Sequence, residues 1–348
     1  MKTAFIMLAA AIAAFGIKAE PARGTAPVKV IFDTDMIEDY DDVGALAVLH
    51  ALADAGECEI LATVSCTRSN ASVAAVEIVN AYYGRPDIPV GCAREKGVRG
   101  RPRDHGRFEM LAKRYPQWVR HPNSDDAPDA NEVYRRVLAA QPDGSVTICS
   151  VGFLTNLRRL LETGPDAHSP LNGRELVAKK VVRWVAMACS YRDGAEYNSM
   201  RDAESSAIAL RDWPTPIVFT DWQYGVGVYT GRRVAELKTE GNPVTDIFKF
   251  SLMKREDVTD TSWDRVAGHP SWDETAVLAA VRGTGKYFNE EHGTYLMQED
   301  CLKSGKNRWI ADKGTKSFRL TEKMPKADVG AVIDELMCRP PSSPTLRH

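Results

Sequence analysis

Five aspartates lie within ten residues, directly after the first strand-like run of the chain, Val28–Phe32. They are Asp33, Asp35, Asp39, Asp41 and Asp42. Carboxylates this close repel one another, and a hard cation that prefers oxygen ligands, Ca²⁺ or Mg²⁺, removes that repulsion. In open α/β sheets the ligand crevice lies at the carboxyl ends of the strands, where this cluster begins. The spacing therefore predicts a metal-assisted site.

Two known acidic motifs have aspartates at comparable spacing. An EF-hand loop is excluded, because the fifth position counted from Asp33 is Ile37 and the sixth is Glu38 instead of glycine. The Asp33-Thr34-Asp35 run also resembles the strand-end D-x-D of haloacid-dehalogenase-type phosphatases. A Mg²⁺-dependent phosphatase therefore stays open as an alternative, although it does not explain the second aspartate pair, which opens an apolar helix.

The elements that must position these side chains alternate between strand and helix from residue 28 to about residue 230. Strands are predicted at Val28–Phe32, Glu59–Ser65, Ile88–Gly91, Val146–Ser150, Val181–Met187 and Ile217–Thr220. Helices are predicted at Val43–Ala53, Ala71–Tyr83, Asn131–Ala140, Leu154–Glu162 and Ala203–Leu210. This alternation is typical of βαβ units. The fold class is therefore α/β, with a Rossmann-like, mostly parallel sheet flanked by helices.

Two regions depart from this alternation of strands and helices. The polar, basic stretch 93–128 is predicted to be a solvated surface loop, with a role over the site as the alternative. Near the end, Thr294–Gln298, Arg308–Ala311 and Ser317–Leu320 alternate like an antiparallel meander, and Asp328–Met337 is predicted to be a closing helix. We expect a small C-terminal antiparallel and helical appendage to a single domain over residues 20–338, followed by a disordered tail, 339–348.

The N-terminus has the pattern of a secretory signal peptide over residues 1–19. Lys2 supplies a positive charge, Ala4–Ile17 is an apolar run too short to span a bilayer, and Ala19 is a suitable cleavage point. We expect a secreted or periplasmic protein. The seven cysteines have no C-x-x-C spacing and are odd in number, so they predict neither a disulfide framework nor a zinc site.

The charge balance narrows the range of partners. The chain has 45 basic and 47 acidic side chains and a formal net charge of -2. A chain so nearly neutral is not typical of a dedicated nucleic-acid binder or a membrane-surface protein. We therefore expect no nucleic-acid partner and no membrane partner, and a small-molecule partner is what the family resemblance set out below implies.

Further landmarks follow the acidic segment in order. They are Thr63–Asn70 at a strand end, Ser150–Leu157 at a strand-to-helix turn, Met187 followed by Glu196-Tyr197-Asn198, and Ser271-Trp272-Asp273 at a helix start. Together with the acidic segment, they resemble the motifs of the nucleoside hydrolase family, the inosine-uridine-preferring N-ribohydrolases. The resemblance covers about residues 28 to 282. The loop before the second aspartate pair is two residues longer here than in the usual signature, as in secreted bacterial variants.

The resemblance implies a cofactor and a set of site residues. Ca²⁺ would be held by the side chains of Asp35, Asp42 and Asp273 and by the backbone carbonyl of Val151. Ribose hydroxyls would be held by Asp41, Asn70, Glu196 and Asn198. Asp35 would also be the catalytic general base acting on a metal-bound water. For two neighbouring residues a structural role is the better interpretation: Asp33 is predicted to orient the loop instead of binding the metal directly, and Asn156 to cap a helix or pin its turn instead of contacting the substrate.

Structural roles remain open for several of these residues. The pair Asp41-Asp42 could cap a helix and offset its dipole. Asn198 could likewise cap the helix that follows it. Asn70 also begins an Asn-x-Ser glycosylation sequon.

The chain departs from the family on the leaving-group side. Trp272 stands where nucleoside-type members have a histidine that protonates the leaving base. We count Trp272 as substrate-binding, and an aromatic wall that includes Tyr40, Trp222 and Tyr224 competes with simple packing. His269 lies off the expected position, and we expect it to be a surface or core residue.

The resemblance implies Ca²⁺-dependent hydrolysis of ribosyl N-glycosidic bonds, giving a base and ribose. One alternative is hydrolysis of another ribosyl or furanosyl compound, which Trp272 favours. Another is a non-catalytic protein that keeps the Ca²⁺ and pentose site. Family members are commonly dimers or tetramers, so a homo-oligomer is an open expectation.

Overall fold

The computed structural model describes residues 26–37, 39–94, 97–98, 106–253, 268–298 and 304–342. Its strands are β1 Val28–Thr34, β2 Cys58–Ser65, β3 Val90–Cys92, β4 Val146–Ser150, β5 Val181–Ala186, β6 Asp193–Ala195, β7 Ile217–Phe219, β8 Tyr229–Thr230, β9 His269–Pro270, β10 Phe288–Met297, β11 Lys306–Ala311 and β12 Phe318–Glu322.

The helices fill the connections between these strands. They are α1 Asp41–Asp54, α2 Ser72–Tyr82, α3 Arg107–Arg114, α4 Ala130–Ala139, α5 Thr155–Glu162, α6 Gly173–Lys180, α7 Tyr197–Arg201, α8 Ala203–Asp212, α9 Trp222–Gly225, α10 Arg232–Ala235, α11 Pro243–Met253, α12 Trp272–Arg282 and α13 Lys326–Met337. Short 3₁₀ turns lie at Pro116–Trp118 and Ser124–Asp126.

Ten strands form one sheet in the order β3-β2-β1-β4-β5-β7-β12-β10-β11-β6. The pairs from β3 to β12 are parallel, and the pairs from β12 to β6 are antiparallel. Strands β8 and β9 form a separate antiparallel pair. This is the α/β, mostly parallel architecture that the alternating pattern predicted.

Strand β1 lies inside the sheet, between β2 and β4. Its run Val30–Phe32 is fully buried. An unbroken apolar run is typical of a parallel strand covered by helices on both faces. The strand therefore ends in the interior of the protein, and it delivers Asp33 and Asp35 to a buried place.

Helix α1 is buried on nearly all sides, because it packs against both α12 and α13. A helix that is apolar all round is typical of such a central position. Gly44 permits the close approach, since a Cβ at this position would lie 2.1 Å from Oε1 of Glu274 on α12. The contact brings the acidic N-terminal turns of α1 and α12 together.

The C-terminal meander and closing helix are present, and the meander is joined to the main sheet. Strand β12 pairs in parallel with β7, and β10 and β11 continue the sheet beyond it. Arg319 on β12 and Tyr295 on β10 both donate hydrogen bonds to Oδ2 of Asp221, each at 2.8 Å. The segment thus supports the loop that follows β7.

The described part of the 93–128 stretch contains regular structure where the sequence predicts only a loop. Helix α3 buries Phe108 and Leu111 and packs on α2 and α11. A short amphipathic helix is difficult to recognise in a charged stretch of sequence when only two or three of its side chains face the core. Four basic residues of this stretch, Lys96, Arg99, Arg101 and Arg103, and also His105 lie outside the described residues.

Other predictions from the sequence concern segments that the structure describes only in part. The signal peptide lies outside the described residues, as do the last six residues of the chain, so those assignments stay predictions. The six described cysteines are free thiols: Cys58, Cys66, Cys92, Cys149, Cys189 and Cys338. Within the described ranges, no helix is both long and apolar enough to cross a membrane.

Candidate active site

A cavity of about 240 Å³ lies at the carboxyl ends of four neighbouring parallel strands, β1, β4, β5 and β7. Seven of the predicted site residues line it: Asp35, Asp41, Val151, Glu196, Asn198, Trp272 and Asp273. Asp39, Met187, Tyr197 and Trp222 complete the described lining. The position agrees with the rule that open α/β sheets bind ligands beyond the carboxyl ends of their strands.

Three buried carboxylates meet beside this cavity. One ligand atom each from Asp41, Asp42 and Asp273 lies within 4.8 Å of the others. Burial, and then the charges of neighbouring carboxylates, raise the pKa of Asp41 and of Asp273 well above the usual range. The two helix N-termini that carry these residues favour negative charge, but only weakly compared with such crowding. A cation between the three side chains would remove the conflict.

Asp42 has one oxygen fixed by the protein and one that is not. Its Oδ1 accepts hydrogen bonds from the Thr34 hydroxyl and from the backbone N–H groups of Asp35 and Met36, the latter two at 3.3 Å. Its Oδ2 is buried and has no hydrogen-bond partner among the described residues. A buried carboxylate oxygen left without a partner is costly, so the geometry suits a metal ligand.

Asp35 is held by its backbone, which leaves its side chain on the cavity wall. Its N–H donates to Asp42, and its carbonyl accepts a hydrogen bond from the Ser72 hydroxyl at 2.9 Å. Gly152 allows the neighbouring loop to approach, since a Cβ there would lie 2.8 Å from Cβ of Asp35. The next residue, Met36, has a left-handed φ of 41°. Such strain in a non-glycine residue is often found at functional sites.

Asp33 lies behind Asp35 and does not line the cavity. Its Oδ2 accepts a hydrogen bond from the Tyr134 hydroxyl at 2.8 Å, and Asn156 Nδ2 donates to both of its oxygens at 3.2 and 3.3 Å. Burial raises the pKa of Asp33 to about 7, and these two donors oppose the rise. Asn156 also donates to the Ser65 carbonyl, so it ties β1 to β2. The expected supporting roles of Asp33 and Asn156 agree with these contacts.

Glu196 and Asn198 lie at the start of α7 on the cavity wall. Oε2 of Glu196 accepts from the N–H and hydroxyl of Ser199 and from the Cys189 N–H, all at 3.0 Å. Among the described residues, its Oε1 accepts only from the Asn198 N–H, at 2.7 Å, which leaves a lone pair for a ligand. Asn198 Nδ2 donates to the carbonyls of Val151 and Met187 at 3.1 and 3.2 Å.

Two tryptophans form an aromatic wall of the cavity. Trp272 Nε1 donates to the Trp222 carbonyl at 3.0 Å, and the two rings stack at 26° with centroids 6.4 Å apart. Asp221 caps the short helix α9 that carries Trp222. Gly225 leaves room for the second ring, because a Cβ there would lie 2.3 Å from Cδ1 of Trp272. These contacts hold Trp222 and Trp272 in place in the cavity wall. Tyr40 and Tyr224 are buried and are not among the described residues that line the cavity.

The structure does not bring every predicted residue to the cavity. Asn70 is exposed in the turn before α2 and is not part of the lining, so its ribose-binding role stays a prediction. Asp39, to which the family resemblance assigns no role, also lines the cavity. A ligand atom of Asp39, of Asp41 and of the buried His269 also lie within 4.8 Å of one another. The only sequence signal for this grouping was the nearness of Asp39 to the motif.

A comparison with protein-family models decides the family. The model described as inosine-uridine preferring nucleoside hydrolase matches residues 30–335. The chain belongs to this family. It is therefore an N-glycosyl hydrolase, and the phosphatase alternative is set aside. A comparison with curated protein sequences finds no significant match.

Solved structures of nucleoside hydrolases share the fold. A plant nucleoside hydrolase matches with a TM-score of 0.66 at 20% identity, covering 90% of this chain and 100% of that one. A purine-preferring ribonucleoside hydrolase from Gardnerella vaginalis matches with a TM-score of 0.64 at 18% identity, covering 89% and 96%. The inosine-uridine preferring enzyme from Bacillus anthracis matches with a TM-score of 0.62 at 15% identity, covering 89% and 99%.

Proposed function

We propose that this nucleoside hydrolase cleaves ribosyl N-glycosidic bonds with the help of Ca²⁺, converting a nucleoside and water to a base and ribose. One observation carries the proposal. Three buried carboxylates converge beside the cavity, and Oδ2 of Asp42 has no hydrogen-bond partner among the described residues. Next to this cluster, Asp35 faces the same cavity as the residues proposed to hold the sugar.

The residues present fit a calcium ion. Asp42 and Asp273 from the carboxylate cluster, together with Asp35 from the neighbouring cavity lining, would supply carboxylate oxygens, and Val151 would supply its backbone carbonyl. The Val151 carbonyl already accepts one hydrogen bond from Asn198, and its second lone pair stays available. An all-oxygen set of this kind is typical of hard cations, and the flexible coordination of Ca²⁺ tolerates an irregular arrangement. Bound there, Ca²⁺ would lower the pKa of a water molecule and orient it.

Asp35 is the proposed general base. Cleavage of an N-glycosidic bond passes through a ribosyl cation of oxocarbenium character, which needs a water positioned at the anomeric carbon and a base to take its proton. Asp35 can act as this base, because its backbone N–H and carbonyl are both held by hydrogen bonds and its side chain lines the cavity. The buried negative charges nearby also favour the positive charge that develops on the sugar.

The ribose hydroxyls are proposed to lie between the two acidic groups of the cavity. Asp41 borders the carboxylate cluster, and its Oδ2 accepts the Asp273 N–H at 3.4 Å. Elsewhere in the cavity lining, Oε1 of Glu196 can accept a hydroxyl, and Asn198 is fixed by its two carbonyl contacts. A pentose with neighbouring hydroxyl groups matches a cavity whose lining carries acceptors from both Asp41 and Glu196.

The leaving-group side has a different character. The wall formed by Trp222 and Trp272 offers an aromatic surface to a planar base. No histidine belongs to the described lining of the cavity. We therefore expect stacking to contribute more than proton donation to the departure of the base, which favours leaving groups that depart without a proton.

A direct test is a hydrolysis assay on the Ca²⁺-loaded protein with a panel of purine and pyrimidine nucleosides. Release of free base and of reducing sugar should both be measured, with the Asp35→Asn protein as the matched control. We expect turnover by the unaltered chain and a loss of about 10² or more in the control, because the amide keeps the shape but cannot act as base.

Three outcomes would contradict the proposal. Ribose retained in the cavity without release of any base would support a binding protein instead. Full turnover after exhaustive chelation would show that the reaction does not need a metal ion. Near-normal activity in a folded Asp35→Asn protein would exclude Asp35 as the base.

We further propose that the protein is exported. The pattern of Lys2, the apolar run Ala4–Ile17 and Ala19 supports this. N-terminal sequencing of the mature protein from cells should begin at Glu20, and a mature chain that retains Met1 would refute export by cleavage.

A further inference from the structure

The described lining of the active-site cavity carries an excess of negative charge. Five of its side chains are carboxylates, namely those of Asp35, Asp39, Asp41, Glu196 and Asp273. No lysine, arginine or histidine belongs to the described lining. A Ca²⁺ ion held as proposed above would offset only two of these charges. Because a cleft lined by one sign of charge attracts the opposite sign, this cavity favours a ligand that carries a positive charge.

Asp39 adds to this charge without serving the metal or the sugar in the proposed function. Its side chain lines the cavity and is only partly buried, so a ligand in the cavity can approach it. Asp39 and Asp41 have ligand atoms within 4.8 Å of each other. Carboxylates this close repel one another, and a positive charge in the cavity lowers that repulsion.

The aromatic wall suits the same kind of ligand. Trp222 and Trp272 both line the cavity, and Trp222 is 42% exposed, so a ligand can reach its ring. Nε1 of Trp272 already donates to the Trp222 carbonyl, so this ring offers the cavity a π surface instead of a hydrogen bond. Among aromatic side chains, tryptophan attracts cations most strongly.

The chemistry of the leaving group also favours a cation. A purine or pyrimidine base departs readily only when an acid protonates it, and such assistance is typically worth about 10²–10⁴-fold. The described lining offers no histidine, lysine or arginine as that acid. A heteroaromatic ring that is joined to ribose through a positively charged nitrogen needs no acid, because it departs as a neutral molecule.

We propose that the preferred substrates of this active site are ribosides whose leaving group is a planar heteroaromatic cation, as in N-ribosyl pyridinium compounds. This inference rests on the proposed function and names its substrate class. The carbon–nitrogen bond breaks, and its electron pair goes to the ring nitrogen, which becomes neutral. The oxygen of a water molecule bonds to the anomeric carbon, and the proton that it loses goes to Asp35. The products are ribose, a neutral pyridine and one proton.

The first experiment compares substrates. kcat/KM is measured with the full Ca²⁺-loaded chain, and the rates without protein are subtracted. Nicotinamide riboside carries the cationic ring, and inosine is a neutral riboside whose base needs a proton. We expect nicotinamide riboside to exceed inosine by about 10² or more, the scale of the missing acid. An equal or higher kcat/KM for inosine would overturn the proposal.

A matched substrate tests the charge itself. Nicotinic acid riboside has the same ring and the same scissile bond, but its carboxylate gives the leaving group a negative charge beside the positive one. A like charge near the carboxylates of the cavity is unfavourable, so its kcat/KM should be about tenfold or more below that of nicotinamide riboside. Equal values would show that the cavity does not recognise the charge.

A binding measurement separates recognition from bond cleavage. N-methylnicotinamide is a pyridinium cation without ribose, and nicotinamide is its neutral counterpart. Calorimetry with the Ca²⁺-loaded protein should show about two- to thirtyfold tighter binding of the cation, the range expected for one contact with an aromatic ring. Equal binding, or tighter binding of nicotinamide, would overturn the proposal.

Three variants assign the effect to residues. The readout is the ratio of kcat/KM for nicotinamide riboside to that for p-nitrophenyl riboside, a neutral substrate that also needs no acid. Trp222→Leu removes the π surface and Asp39→Asn removes a charge, so each should lower the ratio about threefold or more. Trp222→Phe keeps an aromatic ring and should retain most of it. An unchanged ratio in Trp222→Leu or in Asp39→Asn would contradict the assignment. Melting temperatures and Ca²⁺ content verify that the variants fold and hold the metal.

The two proposals fail in different ways. Cleavage of inosine and p-nitrophenyl riboside without a preference for nicotinamide riboside would overturn the substrate class and leave the hydrolase proposal intact. The absence of cleavage of every riboside in the panel would overturn both.

Discussion

Removal of Ca²⁺ should destabilise this protein in a strongly pH-dependent way. Burial, and then the charge of Asp39, raise the pKa of Asp42 from 3.8 to about 7 when no cation is present. Burial, and then the charges of several neighbouring carboxylates, likewise raise the pKa values of Asp41 and Asp273. The metal-free folded state therefore holds protons that the unfolded chain has already released.

The direction of the effect follows from proton linkage. An acid whose folded pKa is raised contributes its full stability below the unfolded value, near pH 3.8, and loses it as the pH rises through the folded pKa. For Asp42, a rise from 3.8 to about 7 corresponds to a loss on the order of 4 kcal/mol at pH 8. Bound Ca²⁺ replaces the protons, and at 100 times its Kd it adds about 2.7 kcal/mol.

The assay is denaturant unfolding between pH 4 and pH 8, with saturating Ca²⁺ and with a chelator. The stabilisation by Ca²⁺ should be close to zero at pH 4 and several kcal/mol at pH 8. His50 titrates in both samples, because burial lowers its pKa to about 3 and its contribution is lost as the pH falls below 6.5. The difference between the two samples cancels that background.

Asp42→Asn is the matched control. The amide keeps the shape and carries no charge, so the chelated variant should lose less stability toward pH 8 than the unaltered chain. Its response to Ca²⁺ should also be smaller. A stabilisation by Ca²⁺ that is equal at pH 4 and pH 8, or a chelated protein whose unfolding free energy does not change with pH, would refute the reasoning.

Three further predictions concern the tryptophan wall and the leaving group. In Gly225→Ala the new Cβ would lie 2.3 Å from the Trp272 ring, so the ring must move by about 1 Å. We expect kcat/KM to fall about tenfold to a hundredfold as a result. Unchanged kinetics would show that the position of the tryptophan wall does not affect the reaction. Arg319→Met leaves the buried charge of Asp221 without its cation, so the free energy of unfolding measured with denaturant should fall by about 3–5 kcal/mol. A decrease under about 1 kcal/mol would show that the ion pair is not needed for stability. p-Nitrophenyl riboside should be cleaved far faster than inosine, because general acid assistance is typically worth about 10²–10⁴-fold; equal rates would reveal an acid that the described cavity lining does not contain.

Residues that act through local chemistry could be predicted from the sequence. The aspartates around Asp35 and Asp42 follow a strand and open a helix, and strand ends and helix starts are fixed by nearby residues. The turn after β4 and the start of α12 are equally local. For this reason, seven predicted residues meet at one cavity although they lie on separate elements.

Residues that depend on distant pairing could not be predicted. The sequence pattern indicated an antiparallel meander near the end of the chain, but it could not show that β12 pairs in parallel with β7. Strand pairing is decided by which edge is left open once the other strands have assembled. The buried pair Arg319 and Asp221 is a consequence of that pairing, and no local pattern in either segment indicates it.

The two sides of the cavity therefore depend on different parts of the chain. The carboxylate side is built by β1, α1 and α12, and the close contact at Gly44 brings its two helix starts together. The tryptophan side depends on Asp221, which caps the turn of Trp222 and is held by Arg319 and Tyr295 from the C-terminal strands. Substitutions in those strands can move the aromatic wall without touching a metal ligand. Changes in leaving-group preference can thus arise in the C-terminal segment while the sugar side of the site stays the same.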